Sequence, residues 1–142
     1  ASEDIGNANP NALLLATACF QAVNLVGYPE CTLMLSQTAI YLATSPKSNA
    51  SFLAFNNAMK KIKDTGDLPV PLHLRNAPTE LMKNLDYGKN YMYSHDYNNN
   101  FAHQEFMPDK VSGTKFYDPQ QNKKEMEIRS FLKTLWKDKY KY

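Results

Sequence analysis

Between Ala12 and Gly27 polar side chains recur at only three places, Thr17, Gln21 and Asn24. Spacings of four and three set them on one narrow stripe of a helix. Leu13, Leu14, Leu15, Ala16, Ala18, Cys19, Phe20, Ala22, Val23, Leu25 and Val26 cover the remainder. Asn9-Pro10 predicts the N-cap and first turn, and Gly27 followed by Pro29 predicts the stop. After Gly27-Tyr28-Pro29-Glu30 a second apolar segment runs from Leu33 to Leu42 and leads into Ser45-Pro46. A surface helix shows a wider polar face than the first segment does, so a helix wrapped in this way is a covered one. Its cover is either the rest of the domain or another copy of the chain. It is not a membrane span, because the polar stripe and the Gly-Tyr-Pro-Glu break interrupt it before ~20 apolar residues accumulate.

The pattern then changes period. From Ser45-Pro46 a third helix places Phe52, Phe55, Met59 and Ile62 on one face, with Asn56, Asn57, Lys60, Lys61 and Lys63 opposite and Gly66 as its end. This spacing predicts one buried face. From 67 to 119 the prolines (Pro69, Pro71, Pro78, Pro108, Pro119) and Asn98-Asn99-Asn100 break any long periodicity. Only Thr79 to Tyr87 reads as helical, with Thr79 as cap and Leu81, Met82 and Leu85 as apolar contacts. Ordered loops, with at most one short hairpin around Ala102–Phe106 and Lys115–Tyr117, are expected to fill the rest. In the last helix, placed at 120–138, Ile128, Phe131, Leu132, Leu135 and Trp136 form one apolar face among lysines. The expectation is a mainly α fold with long ordered loops, in a single domain over 1–142 whose residues 1–8 are a linker.

A chain of 142 residues with 43% hydrophobic and 21% charged residues suits one soluble domain with one core. The net charge of +2 is too small to name a partner, but it is unevenly spread. Residues 1–46 hold no Lys or Arg and three acids, Glu3, Asp4 and Glu30. Residues 120–142 hold seven bases against three acids. Cys19 and Cys31 match neither a disulfide framework nor a metal-ligand spacing, and with no signal peptide the expectation is a cytoplasmic protein. The start at Ala1-Ser2-Glu3-Asp4, without Met, suggests a piece of something longer.

Chemistry-bearing motifs are sparse. Five scattered glycines form no phosphate loop, no dinucleotide-binding G-x-G-x-x-G and no G-x-S-x-G elbow. His73, His95 and His103 with Asp96 could be drawn as a metal or catalytic cluster, but their spacings match no ligand motif. No catalytic, cofactor or metal residue is therefore assigned. His95-Asp96 beside Tyr91, Tyr93 and Tyr97, with Lys89 nearby, is the densest polar-aromatic cluster. Those rings could stack nucleic-acid bases, with Lys133 and Lys137 of the basic last helix adding contacts. They could equally rivet the loop, each ring buried and each hydroxyl bonded, and this second reading is preferred. The lysines around the last helix likewise read first as a solvated face.

At this point the residues resemble a family. Asn9-Pro10-Asn11-Ala12-Leu13, Gln21-Ala22, Gly27-Tyr28-Pro29-Glu30, Leu35-Ser36-Gln37-Thr38-Ala39-Ile40-Tyr41-Leu42-Ala43 and Lys47-Ser48-Asn49-Ala50 resemble the C-terminal region of replication-associated recombination protein A. That family of AAA+ ATPases, also called MgsA, includes the Werner-helicase-interacting proteins. The resemblance continues through Val70-Pro71-Leu72-His73-Leu74-Arg75-Asn76-Ala77-Pro78-Thr79, Gly88-Lys89-Asn90-Tyr91-Met92-Tyr93-Ser94-His95-Asp96 and Phe116-Tyr117-Asp118-Pro119. Ser94 stands where the family usually has Pro, and Asn98-Asn99-Asn100 where it has a glycine-containing turn.

The resemblance implies a clamp-loader-collar-like helical domain, non-catalytic in itself, that assembles a homotetramer. ATP and Mg²⁺ would belong to an ATPase region outside this stretch. It further implies work at replication forks and in recombination and repair, on DNA and beside single-stranded-DNA-binding protein, in the cytoplasm at the nucleoid, with no membrane role. One physical point agrees with it: apolar helix surface in this amount calls for burial against other copies. Leu13, Leu14, Phe20, Val23, Leu33, Leu35, Ile40 and Tyr41 are the candidate interface or core residues.

Overall fold

The computed structural model describes all residues 1–142 and contains helices, 3₁₀ turns and loops. Its α-helices are α1 (Asn11–Val26), α2 (Cys31–Thr44), α3 (Ala50–Thr65), α4 (Glu80–Asn84) and α5 (Lys123–Trp136). The short hairpin that the sequence allowed around 102–106 and 115–117 is not formed; these stretches are loop and pair with no strand. Their polar groups are satisfied in other ways. The Glu105 carbonyl accepts from His73 Nε2 at 2.7 Å, and the Gln104 N–H turns back to the Ala102 carbonyl at 2.9 Å.

Helix stops follow the sequence. Gly27 and Gly66 take φ of 73° and 68°, a region other residues enter at a cost, and each donates its N–H four residues back, to Val23 and Ile62. Thr79 caps α4 by accepting from the Met82 N–H. Asn122 does the same for α5 from the Glu125 N–H. Asn9 departs from this pattern. Its side chain does not cap α1 but donates Nδ2 to Tyr41 Oη and to Ser45 Oγ, both at 3.0 Å, clasping the start of α1 to the end of α2.

The antiparallel hairpin of α1 and α2, joined through a cis Tyr28-Pro29 bond, is the largest helix–helix packing in the chain. The fully buried positions of its seam are small residues. The most covered positions are Ala12, Leu15, Ala16, Cys19, Ala22 and Val23 on α1, and Cys31, Met34, Thr38, Tyr41 and Leu42 on α2. Of these only Ala12, Cys19, Cys31 and Thr38 are buried outright. The Cys19 thiol donates to the Met34 carbonyl across the seam. Two helices can approach closely over such side chains, and the large ones are turned outward as a result.

The second centre of packing joins residues 1–8, the start of α3 and the start of α5. Ile5 and Ala8 are buried there beside Ser48, Ala50 and Pro119. Ser48 N–H donates to the Asp4 carbonyl at 2.8 Å, which seats the N-terminal segment on the α2–α3 junction. Gly6, at φ 47°, lies where an added Cβ would come within 3.1 Å of the Ser48 carbonyl oxygen. Glu125 is the hub, 0% exposed. Its carboxylate accepts from the Tyr117 hydroxyl at 2.8 Å and the Asn122 amide at 2.6 Å, and Tyr117 accepts from Asn7 at 3.3 Å. Burial works to raise the Glu125 pKa, but bonds from Ser48, Asn122, Tyr117 and the Gln120 backbone outweigh it and hold the carboxyl below its ordinary value. Burial, with the Glu125 charge and bond, pushes the Tyr117 hydroxyl up to about 12 despite the opposing bond from Asn7.

Candidate interaction surface

Large apolar side chains on this molecule are mostly outside. Only 12 of 142 residues are buried, and the largest fully buried side chains are Glu125, Pro119 and Cys31. Of the hairpin residues singled out in the sequence, Leu13, Leu14, Phe20, Leu33, Leu35 and Ile40 are exposed, while Val23 and Tyr41 are half-buried. Leu25 is 86% exposed, Leu33 75% and Phe20 71%. An ordinary core helix is therefore excluded for α1 within one chain. The amphipathic third helix is present as expected, but its apolar face is not covered either: Phe52, Phe55, Met59 and Ile62 are all exposed. A folded monomer of 16.2 kDa exposes roughly 7,500 Å². This chain exposes 10150 Å², an excess of about 2,700 Å².

Beyond α3 the loop segment builds a different surface. Arg75 leaves the 3₁₀ turn Leu72–Leu74 and is held from two sides, Nε donating to the Val70 carbonyl at 2.6 Å and Nη1 to the Tyr87 hydroxyl at 3.1 Å. Its guanidinium also lies 5.0 Å from the Tyr87 ring centroid. Gly88 brings the facing turn in: its N–H donates to the Leu72 carbonyl at 2.9 Å, and an added Cβ would sit 3.3 Å from the Arg75 carbonyl oxygen. Between them opens a cleft of about 480 Å³ lined in part by Arg75, Asn76, Tyr91 and Phe106. Gln104 clasps the far side of the loop through both backbone groups of Met92.

The three loop tyrosines are not rivets. Tyr91, Tyr93 and Tyr97 are exposed, and their hydroxyls bond nothing, whereas those of Tyr41, Tyr87 and Tyr117 are bonded. Lys89 pairs with Asp86 at 2.9 Å on the open surface. Lys133 and Lys137 stand exposed on and just beyond α5, away from any ion pair. The histidines are separate: His73 is bound to the Glu105 carbonyl, His95 tilts against Tyr93, and His103 meets Phe101 edge-on. No three His, Cys, Asp or Glu side chains come together in metal-holding geometry. The asparagine run does the work of a glycine turn, Asn99 and Asn100 taking φ of 59° and 52°.

Residues 1–136 match the family model of the MgsA AAA+ ATPase C terminal. The chain belongs to that family. Members similar to it include Replication-associated recombination protein A of Coxiella burnetii, 47% identical over 133 residues, which are 93% of this chain and 30% of that protein. The protein of the same name in Escherichia coli strain K12 is 43% identical over 120 residues, 84% of this chain and 27% of the relative. ATPase WRNIP1 of Dictyostelium discoideum is 42% identical over 119 residues, 83% of this chain and 14% of the relative. This MgsA C-terminal chain thus spans about a third or less of the relatives it matches. No helix in it is long and apolar enough to cross a membrane.

Two residues of this MgsA-family chain, one on the loop surface and one in the interior, have roles that the sequence did not single out. Arg75 is one of only two arginines among sixteen Lys and Arg, a signal that was open to view. The Glu125 hub had no such signal, because a glutamate in the first turn of a helix is ordinarily a solvated one.

Proposed function

We propose that this chain is the non-catalytic collar of a AAA+ ATPase that maintains replication forks and supports recombination and repair, and that it assembles as a homotetramer. The observation that carries the reading is the surplus of about 2,700 Å² of exposed surface, together with the large apolar side chains left exposed on the α1–α2 hairpin and on α3. A standard interface takes about 800 Å² from each partner, so the surplus is enough for roughly three such patches. One neighbour is too few to cover it. A closed tetramer gives each copy two or more different contacts, which fits this arithmetic. ATP and Mg²⁺ would be bound by a part of the parent outside these residues, and DNA and single-stranded-DNA-binding protein would be partners of the whole assembly.

Light scattering of the chain at tens of micromolar tests the reading directly. The expected mass is four times 16.2 kDa. A clean monomer would sink self-assembly. A second reading, direct contact with nucleic acid, is favoured by one observation, the exposed and unbonded tyrosines of the loop.

A further inference from the structure

Arg75 is held in place by neutral groups alone. No carboxylate lies within ion-pair distance of it, whereas the other arginine, Arg129, pairs with Asp118. A half-buried guanidinium gives up part of its hydration, and here nothing anionic replaces it. The Val70 carbonyl and the Tyr87 hydroxyl use two of its five N–H donors, fix the plane of the fork and leave the other donors open. Arg75 lines two clefts: one, on the Val70 side, also holds Asp67 and Asp109, while the other, on the Tyr91 side, has no acidic residue in its lining. An arginine with open donors in the lining of an acid-free cleft has the chemistry of an anion site.

Tyr91 identifies the kind of anion. It lines the same cleft, is 49% exposed, and its hydroxyl has no partner. Tyr93 and Tyr97 follow on the same loop, equally unbonded. A flat ring exposed in the same cleft as an arginine suits a base attached to a phosphodiester. A peptide carboxylate would leave these rings without a role, and no strand edge is available to pair a peptide backbone. The loop is also set in advance, by Gln104 on Met92 and Gly88 on Leu72, so little ordering is required on binding.

We propose that the cleft between Arg75 and Tyr91 is a single-stranded nucleic-acid subsite, in which Arg75 takes a phosphodiester and Tyr91 stacks the adjoining base. This rests on the second functional reading above and not on tetramer assembly.

The test is fluorescence anisotropy of a labelled 15-nucleotide oligothymidylate with the 142-residue chain, titrated at several salt concentrations. The wild type is expected to bind at low salt and to weaken steeply as salt rises. Tyr91→Ala is expected to weaken binding about 5- to 100-fold with an unchanged melting temperature, and Tyr91→Phe to bind like the wild type, because stacking needs the ring alone. Arg75→Gln should lower the slope of log affinity against log salt by about 0.7, the share of one single-strand phosphate. Should Tyr91→Ala fail to fold, Tyr91→Leu, which keeps apolar bulk at the same position without a ring to stack, serves in its place, and the same loss is expected of it. No binding by the wild type at low salt would overturn both the subsite and the nucleic-acid reading. Wild-type binding left intact by Tyr91→Ala and Arg75→Gln would overturn the subsite alone. Displacement of the oligonucleotide by a glutamate-rich peptide as effectively as by unlabelled oligonucleotide would reassign the cleft to carboxylates and overturn it as well.

Discussion

Glu125 shows how little of a residue's role is written in its type. It sits in the first turn of α5, where a carboxylate ordinarily faces water and the helix N-terminus. Here it is buried and gathers Tyr117, Asn122, Ser48 and a backbone N–H, so that residues from three segments converge on one charge. Glu125→Ala would leave these donors unsatisfied, and a loss on the order of 3 kcal/mol is expected, visible as a fall of roughly 10 °C in a thermal melt. A fall of a degree or two would show that water takes over the carboxylate's bonds. Glu105 makes a pH-dependent contribution of the same kind. Burial works against its charge, but the Ser112 hydroxyl, the Met107 N–H and Lys139 hold its pKa down to about 2 from 4.5. A carboxyl depressed in the folded state stabilises the fold above its unfolded pKa and loses that contribution as pH falls through the folded one. Stability should therefore decline between about pH 4.5 and pH 2, and chemical denaturation of Glu105→Gln over that range should show a shallower decline.

Helices and their ends were legible at the scale of the element, because the signals are local. Gly27, Gly66 and Thr79 each act within four residues of themselves, and each does what the sequence predicts. The α1–α2 seam was not legible. Its buried residues, Ala12, Cys19, Cys31 and Thr38, are small and scattered through an apolar run, and only the neighbouring helix distinguishes them from Leu14 or Phe20. Asn9 illustrates the same limit: a good N-cap by type, it is drawn off by Tyr41 and Ser45 across the hairpin. The loop surface was half legible, since the Tyr91–Tyr97 cluster stood out while its exposure and the aim of Arg75 depend on Gly88 and Tyr87 from the facing turn. Asn9→Ala should cost about 1–2 kcal/mol and free the end of α2. Hydrogen exchange would register it as faster exchange of the amides of residues 42–45, with the middle of both helices unchanged. Uniform loosening of the hairpin would mean that the clasp is not local.

For the whole molecule, the decisive quantity is the mismatch between a thin core and a wide apolar exterior. Substituting an exposed side chain of a monomer is ordinarily worth less than about 0.5 kcal/mol, so Phe20→Glu and Ile40→Glu would pass unnoticed on an isolated chain. If copies cover the hairpin, each substitution places a charge in a desolvated contact and should remove assembly while leaving the helical circular dichroism in place. Assembly also ties stability to concentration, because only the folded state associates. The melting temperature of the wild type should rise by several degrees between about 1 and 100 micromolar, and that of Phe20→Glu should stay flat. A charged substitution on α3, Phe55→Glu, separates two arrangements. It should behave like Phe20→Glu if α3 is also covered by a neighbour, and should give a smaller assembly, still concentration-dependent, if the hairpin alone makes the first contact. Wild-type and variant melts that are all independent of concentration would mean that the exposed faces of Phe20, Ile40 and Phe55 are not how copies of this chain meet.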